Sequence, residues 1–436
     1  MAGNETVEIS VGEIAAPIKN ALVGGPFGSD LGTADYVPSG VPVIRGQNLS
    51  NGKFVGGEFV FVSEEKADKL KSNLARAGDL VFTQRGNAVL HGGQVAIVPD
   101  KPFERYLVSQ SQMKLTPDQT KVESRFLYFV FTSADYRHYL RSNAVVTGVP
   151  HINLGLLREY SLSLPPLAEQ KAIAAVLGAL DDKIELNRRM NATLEAMARA
   201  LFQSWFVDFD PVRAKLDGRP PAALDPATAT LFPEHLEETA LGHTPKGWEV
   251  RSLDKTAHYL NGLALQKYPA GDSPTLPVIK IAQLRKGDSV GADRCNTNLP
   301  GNYIVQDGDV LFSWSGSLEV ELWCGGPGAL NQHLFKVTSP EFPKWFYYLW
   351  TLYHLDEFRL IAADKATTMG HIQRGHLTAA KVLIPPRPLL DAMTRTMSPL
   401  IDQLIANRIQ SRTLATLRDT LLPKLLSGEL SVAETK

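Results

Sequence analysis

Residues 165–205 read PPLAEQKAIAAVLGALDDKIELNRRMNATLEAMARALFQSW. Within them Ile173, Leu177, Leu180, Ile184, Asn187, Asn191, Leu194, Ala198 and Leu201 follow one another in alternating steps of four and three. That spacing is the seam of a coiled coil. Pro166 suits a first helical turn, where its missing N–H is not needed. The spacing predicts one helix from about Leu167 to Trp205.

Working outward, the surroundings of this helix occur twice. Pro42-Val43-Ile44-Arg45 returns as Pro277-Val278-Ile279-Lys280, and Gly78-Asp79-Leu80-Val81-Phe82 as Gly308-Asp309-Val310-Leu311-Phe312. Gln110 with Lys114-Leu115 matches Gln332 with Lys336-Val337. His151-Ile152 matches His371-Ile372, Pro165-Pro166 matches Pro385-Pro386, and Asn187-Arg188 matches Asn407-Arg408. Six matches in one order make the chain a tandem duplication. Each copy begins with short β-branched and aromatic runs cut by Gly and Pro, such as Val41–Ile44, Leu80–Thr83, Val95–Val98, Val278–Ile281 and Val310–Ser313. These read as strands, with helix near Phe126–Tyr139 and Trp345–Phe358.

A second helix, about Leu389 to Leu426, carries Leu400, Leu404, Asn407, Leu414 and Leu421 at the duplicated places. It is less regular. Arg418 falls on the seam, and Pro399 predicts a kink or a late start. Asn187 and Asn407 occupy equivalent places: they either fix the register as buried amides or are exposed polar residues on an imperfect seam. The predicted fold is α+β: two tandem strand-rich α/β units, each followed by a long helix, the two helices pairing as an antiparallel coiled coil. Its seam contains Leu177, Leu180, Ile184, Asn187, Leu194, Leu404, Asn407 and Leu414.

Composition excludes several classes. The 436 residues carry a net charge of −1, so no overall basic excess marks a polyanion partner. Only Cys295 and Cys324 are present, too few for a disulfide framework or a four-cysteine zinc site. No apolar run is long enough for a membrane span, and MAGNETVEIS lacks a signal-peptide core, so a cytoplasmic protein without a membrane partner is expected. GxxxxGK[ST], HExxH, Cys-x2-Cys and GxSxG are all absent. Glu64-Glu65-Lys66 has the ExK shape of some nucleases, but reads better as a solvated helical turn. Gly24-Gly25-Pro26-Phe27-Gly28 reads as a turn, because no Lys-Ser/Thr follows it. No catalytic or metal-binding residue is expected.

The whole pattern resembles the specificity subunit of Type I restriction-modification systems. The resemblance rests on residues 165–171 (PPLAEQK), 180–189 (LDDKIELNRR), 201–209 (LFQSWFVDF) and 245–250 (PKGWEV), and covers nearly the whole chain. The second helix departs, with Pro386-Arg-Pro-Leu-Leu-Asp391 in place of a second Pro-Leu-Ala-Glu-Gln. The resemblance implies target-recognition domains at 1–165 and 246–385 and conserved spacer helices at 166–210 and 386–430; between the halves, Leu216–Pro233, rich in Ala, Pro and Asp, reads as a linker or loop, which sets a linker at 211–245. It implies a non-catalytic subunit that reads the two halves of a split, asymmetric site in double-stranded DNA. It also implies two adenine-N6 methyltransferase (M) subunits and two motor-endonuclease (R) subunits as partners. S-adenosylmethionine, ATP and Mg are expected in those partners, with no cofactor in this chain. A helix of this length, roughly 58 Å, suits half-sites spaced roughly 34–36 Å per helical turn. The contrasting reading is a coiled-coil adaptor that binds protein without reading bases.

Bases are read by Arg, Lys, Asn and Gln, and such residues follow strands here. In the first copy the candidates are Arg45, Gln47 and Asn48; Gln84, Arg85 and Asn87; Gln110 and Gln112; and Thr147, His151 and Asn153. In the second they are Lys280, Gln283 and Arg285; Trp314 and Ser315; Gln332 and His333; and Lys365, Thr367, His371, Gln373 and Arg374. His151 and His371 are either DNA contacts or buried structural histidines, and Trp314 either stacks on DNA or packs in its domain. Gly86 and Gly316 are expected to serve turns needing positive φ. Phe202, Trp205, Phe206, Val207 and Phe209 need a cover, supplied either by the chain itself or by a methyltransferase subunit.

Overall fold

The computed structural model describes residues 6–50, 53–91, 93–271, 274–364 and 370–432. It divides into two units, residues 1–182 with 414–436, and residues 183–413.

In the first unit an antiparallel sheet has the order Val95–Ile97, Leu80–Thr83, Gln112–Leu115, Leu22–Gly24. A second sheet has the order Tyr36–Val37, Val60–Val62, Val41–Ile44, Tyr106–Val108, Leu74–Ala75, and Val41–Ile44 pairs with Tyr106–Val108 in parallel. The second unit repeats both. Its antiparallel sheet runs Val320–Leu322, Val310–Ser313, Leu334–Thr338, His258–Asn261. Its other sheet runs Arg294–Asn296, Thr275–Ile279, Gly328–Leu330, Ile304–Val305, again with one parallel pair, Thr275–Ile279 with Gly328–Leu330. In each unit a two-stranded ribbon joins the first strand of the repeated copy to the strand before the long helix: Val7–Ser10 with Ser161–Leu164, and Glu249–Ser252 with Lys381–Ile384. The duplication read in the sequence is therefore a duplication of topology.

The regions near Phe126 and Trp345 each form two helices, Ser124–Thr132 with Ala134–Asn143, and Lys344–Tyr353 with Leu355–Asp364. Ile281, expected to end a strand, begins the helix Ile281–Lys286 instead. The long helices are Leu167–Phe206 and Arg387–Leu426. The second neither starts late nor breaks at Pro399, which is exposed between the buried side chains of Met397 and Ile401. Buried neighbours hold the turn in which a hydrogen bond is lost. The stretch 211–245 is structured: helices Asp210–Leu216 and Pro226–Leu231 and the hairpin Leu236–Thr239/Gly242–Pro245 lie in the second unit.

The two long helices pair in each unit. In the second, Asn187 is fully buried, and its Nδ2 donates to Gln410 Oε1 at 2.9 Å and Ser411 Oγ at 3.2 Å. Asn407 Nδ2 donates to Asn191 Oδ1 at 2.9 Å, and Asn191 Nδ2 to the Leu404 carbonyl. Numbers rising on one helix as they fall on the other make the pairing antiparallel. The reading of Asn187 and Asn407 as exposed residues does not hold: both amides are buried and bonded across the seam. In the first unit Arg418 Nη1 donates to Asp181 Oδ1 at 2.6 Å, so the charge on the seam is partnered.

Phe202, Trp205, Phe206 and Phe209 are buried in the second unit's core and Val207 packs against it. Phe206 meets Trp248, Trp345, Phe346 and Trp350. The cover for the aromatic run is the chain itself, so these five residues are not an exposed docking patch.

Candidate nucleic-acid interface

Three loops meet at the end of the antiparallel sheet in the first unit. Gln84 N donates to the Ser111 carbonyl at 2.8 Å, and the Gln84 carbonyl accepts from Ile152 N at 3.0 Å. Arg85 and His151 form a β-bridge, and His151 bridges Val145 as well. Gly86 N donates to the Pro150 carbonyl. The segments around 84–87, 109–112 and 145–153 are thus tied together by main-chain bonds. The second unit repeats the bonds. Trp314 N donates to the His333 carbonyl, Ile372 N to the Trp314 carbonyl at 3.0 Å, Gly316 N to the Gly370 carbonyl at 2.8 Å, and Ser315 bridges His371. Gly86 and Gly316 have φ of 108° and 65°, the left-handed backbone that the turn requires.

The strands below are braced by a second duplicated device. Lys336 Nζ pairs with Asp309 Oδ2 at 2.7 Å and donates to the Ile304 carbonyl at 3.0 Å. Lys114 Nζ donates to the Leu74 carbonyl at 2.8 Å. Burial pushes the Asp79 carboxyl up and the Lys114 ammonium down, each partly offset by the other's charge. These pairs were landmarks of the repeat in the sequence, but nothing local marked them as braces.

The candidates divide by exposure. In the first cluster Arg85, Asn87, Gln110, Thr147 and Asn153 are exposed, and Gln84 and His151 are half-buried. Asn153 also caps the helix Leu154–Glu159, its Oδ1 accepting from Leu156 N at 2.7 Å. Asn48 and Gln112 are fully buried. Asn48 Oδ1 accepts from Arg45 N and its Nδ2 donates to the Gly56 carbonyl, so it pins its own loop. Neither Asn48 nor Gln112 can reach a base edge, which corrects the expectation for both. Arg45 is half-buried, and the exposed Gln47 donates to the Glu58 carbonyl.

In the second cluster the side chains are bound to one another. Trp314 Nε1 donates to Asn261 Oδ1 at 2.9 Å, and its ring lies 5.8 Å from the His333 ring and 6.4 Å edge-on from His371. Ser315 is buried, with Oγ 3.0 Å from His333 Nδ1, so it serves the cluster's interior and not its surface. Gln332 Nε2 lies 3.3 Å from His333 Nε2. Arg374 donates to the Tyr259 carbonyl and lies over the Phe335 ring. Gln373 is exposed at the start of the helix Arg374–Ala379. Lys280 and Arg285 are exposed around the helix Ile281–Lys286; Lys280 pairs with Asp293, and Gln283 turns back onto Lys280 N. Lys365 and Thr367 lie outside the described residues. Sequence reasoning missed Asn261, which orients Trp314 from a distant strand.

Among the described residues there is no group of three or more His, Cys, Asp or Glu side chains that could hold a metal ion. Glu64 pairs with Arg105 and Lys66 with Asp35, so the ExK triplet is spent on surface ion pairs. Among the described residues no helix is long and apolar enough to cross a membrane.

Two copies of one α+β unit, each with a braced three-loop cluster, and a long helix pair define a duplicated recognition scaffold. The sequence model described as "Type I restriction modification DNA specificity domain" matches twice, at residues 30–196 and 245–411, and the chain belongs to this family. It is similar to the MjaIX specificity subunit of Methanocaldococcus jannaschii, at 26% identity over 92% of this chain and 89% of that one. It is also similar to the HindI specificity subunit of Haemophilus influenzae, at 23% identity over 89% and 94%. The crystal structure of a Type I restriction-modification S subunit from M. genitalium shares the fold, with a TM-score of 0.54 and 13% identity over 98% of this chain and 97% of that one.

Proposed function

We propose that this chain is the DNA-specificity subunit of a Type I restriction-modification complex, and that each unit reads one half of a bipartite, asymmetric site. The observation that carries this is the pair of loop clusters, alike in main-chain bonding and different in side chains, on a chain of the DNA specificity domain family. Like bonding gives two reading heads of one geometry, and unlike side chains give two different half-sites. Base edges are met by Gln84, Arg85, Asn87 and Gln110 in the first unit, and by Gln332, Gln373 and Arg374 in the second. Arg45, Lys280 and Arg285 hold phosphates. The exchangeable recognition domains are residues 1–165 and 246–385.

The subunit adds no chemistry of its own. It recruits two adenine-N6 methyltransferase subunits and two motor-endonuclease subunits, which use S-adenosylmethionine, ATP and Mg, in the cytoplasm where the DNA lies. The test is to express the chain with its methyltransferase subunit in an unmodified host and map N6-methyladenine across the genome. A split motif methylated in each half is expected, and exchanging residues 1–165 should change one half only. Copurification without any motif would sink the reading and favour a protein-binding adaptor.

A further inference from the structure

The turn 24–28 has a place in the first cluster that the polar candidates do not explain. Gly25 N donates to the Gln112 carbonyl at 2.8 Å. A Cβ on Gly25 would lie 2.0 Å from the Ser109 carbonyl oxygen, so only glycine lets the turn press against that strand. Cβ positions on Gly24 and Gly28 would lie 3.8 Å from Gln84 Oε1 and 3.1 Å from Gln110 Oε1. The turn therefore lies beside two candidate reading side chains, Gln84 and Gln110. At its tip Phe27 is 83% exposed, its carbonyl accepting from Asp30 N. Among the large apolar side chains of the described residues it is the most exposed.

The second unit shows that the scaffold does not require this. Gly262 makes the same close approach, its Cβ position 2.1 Å from the Asn331 carbonyl oxygen. The residues after it, Leu263 and Ala264, are half-buried, and Leu265 is buried. A phenyl ring held in water on a rigid turn gains by burial on a surface brought to it. The surface brought to Gln84, Arg85 and Gln110 is, on the function proposed above, the first DNA half-site.

The geometry points to Phe27 as a base-contacting residue that packs its ring against a base of the first half-site, beside the polar readers. Apolar side chains recognise DNA by such contacts, on a thymine methyl or against an unstacked step. This inference rests on the proposed function, and the test separates the two. Fluorescence anisotropy would compare the full chain, bound to its methyltransferase subunit, on a duplex carrying the mapped motif and on a random duplex. Phe27→Ala and Phe27→Ser should weaken motif binding about tenfold, leave random binding and the salt slope unchanged, and be rescued by Phe27→Tyr. Removing one base of the first half-site should weaken the wild type and add nothing to Phe27→Ala, and no base of the second half-site should behave so.

Wild-type affinity in Phe27→Ala alongside a loss in Arg85→Ala would overturn the assignment. So would an equal loss on both duplexes, or lost methyltransferase assembly with DNA affinity intact. A wild-type complex that does not prefer its motif would instead sink the proposed function itself.

Discussion

In the first unit a groove of about 590 Å³ opens beside Tyr128, Ser133, Arg137, Tyr160 and the last turns of the second long helix. In the second unit Tyr353, His354, Glu357 and Ala380, which duplicate Ser133, Ala134, Arg137 and Tyr160, line a smaller space of about 400 Å³ together with Phe206, Phe209, Leu241 and Thr244. The topology is the same and the cover is different. The helix Leu167–Phe206 continues into the structured stretch 211–245, and Phe206, Phe209 and Phe232 seal that unit's core. Its counterpart ends at Leu426, where Leu422 and Leu425 supply a thinner aliphatic edge. The same contrast holds at the loop clusters. The turns at Gly86 and Gly316 match, and so do the lysine side-chain braces at Lys114 and Lys336, whereas the first cluster leaves Arg85, Asn87 and Gln110 exposed and the second locks Trp314, Ser315 and His333 together. Backbone geometry was kept through the duplication, and side chains were free to change.

The largest expected effect tests the cover. All six tryptophans lie in the second unit, so indole fluorescence reports that unit alone. Phe206→Ala should lower its stability by about 3–5 kcal/mol, as expected for emptying an aromatic site in a core. Leu426→Ala, at the half-buried duplicated place, should leave the fluorescence transition in urea unmoved. Equal shifts would break the comparison.

The seam offers the next. Asp181 and Arg418 are paired in the first unit, whereas the duplicated positions Ile401 and Ala198 are both apolar and buried in the second. Arg418→Ala should cost about 1–3 kcal/mol in thermal unfolding, by leaving the Asp181 carboxylate without its partner. The double change Asp181→Ile with Arg418→Ala, which copies the apolar end, should recover most of the loss. A double variant no better than the single one would mean the ion pair holds the helix pair there.

At the reading heads, Arg85→Ala should cost about 1–3 kcal/mol of discrimination at one base pair and relax only the first half of the methylated motif. Gln373→Ala should do the same in the second half. Relaxation of both halves by either change would refute one head per half-site.

The smallest effect is one of pH. Arg412 clasps both oxygens of Asp307, at 2.7 Å each, and holds its carboxyl below the usual range. A depressed carboxyl stabilises the fold above its unfolded pKa, and the contribution is lost as pH falls through the lower folded value. Asp307→Asn should therefore lower the second unit's melting temperature slightly at neutral pH and flatten its dependence on pH in the acid range.

The sequence by itself determined the duplication, the strands near 41–44, 80–83, 95–97 and 310–313, and both long helices, because alternation, heptad spacing and Gly or Pro punctuation are local signals. It also determined the turns at Gly86 and Gly316, where the requirement is one residue's own φ. What it could not assign is burial. Asn48 and Arg85 look alike as polar residues after strands, yet Asn48 is sealed against Gly56 and Arg85 faces water. Phe206 and Phe27 look alike as aromatics in need of cover, yet the first is in a core and the second is bare. Which side chains are free to read, and which hold the scaffold, was decided by segments far apart in the chain, such as 84–87 meeting 145–153, because burial depends on what packs from elsewhere.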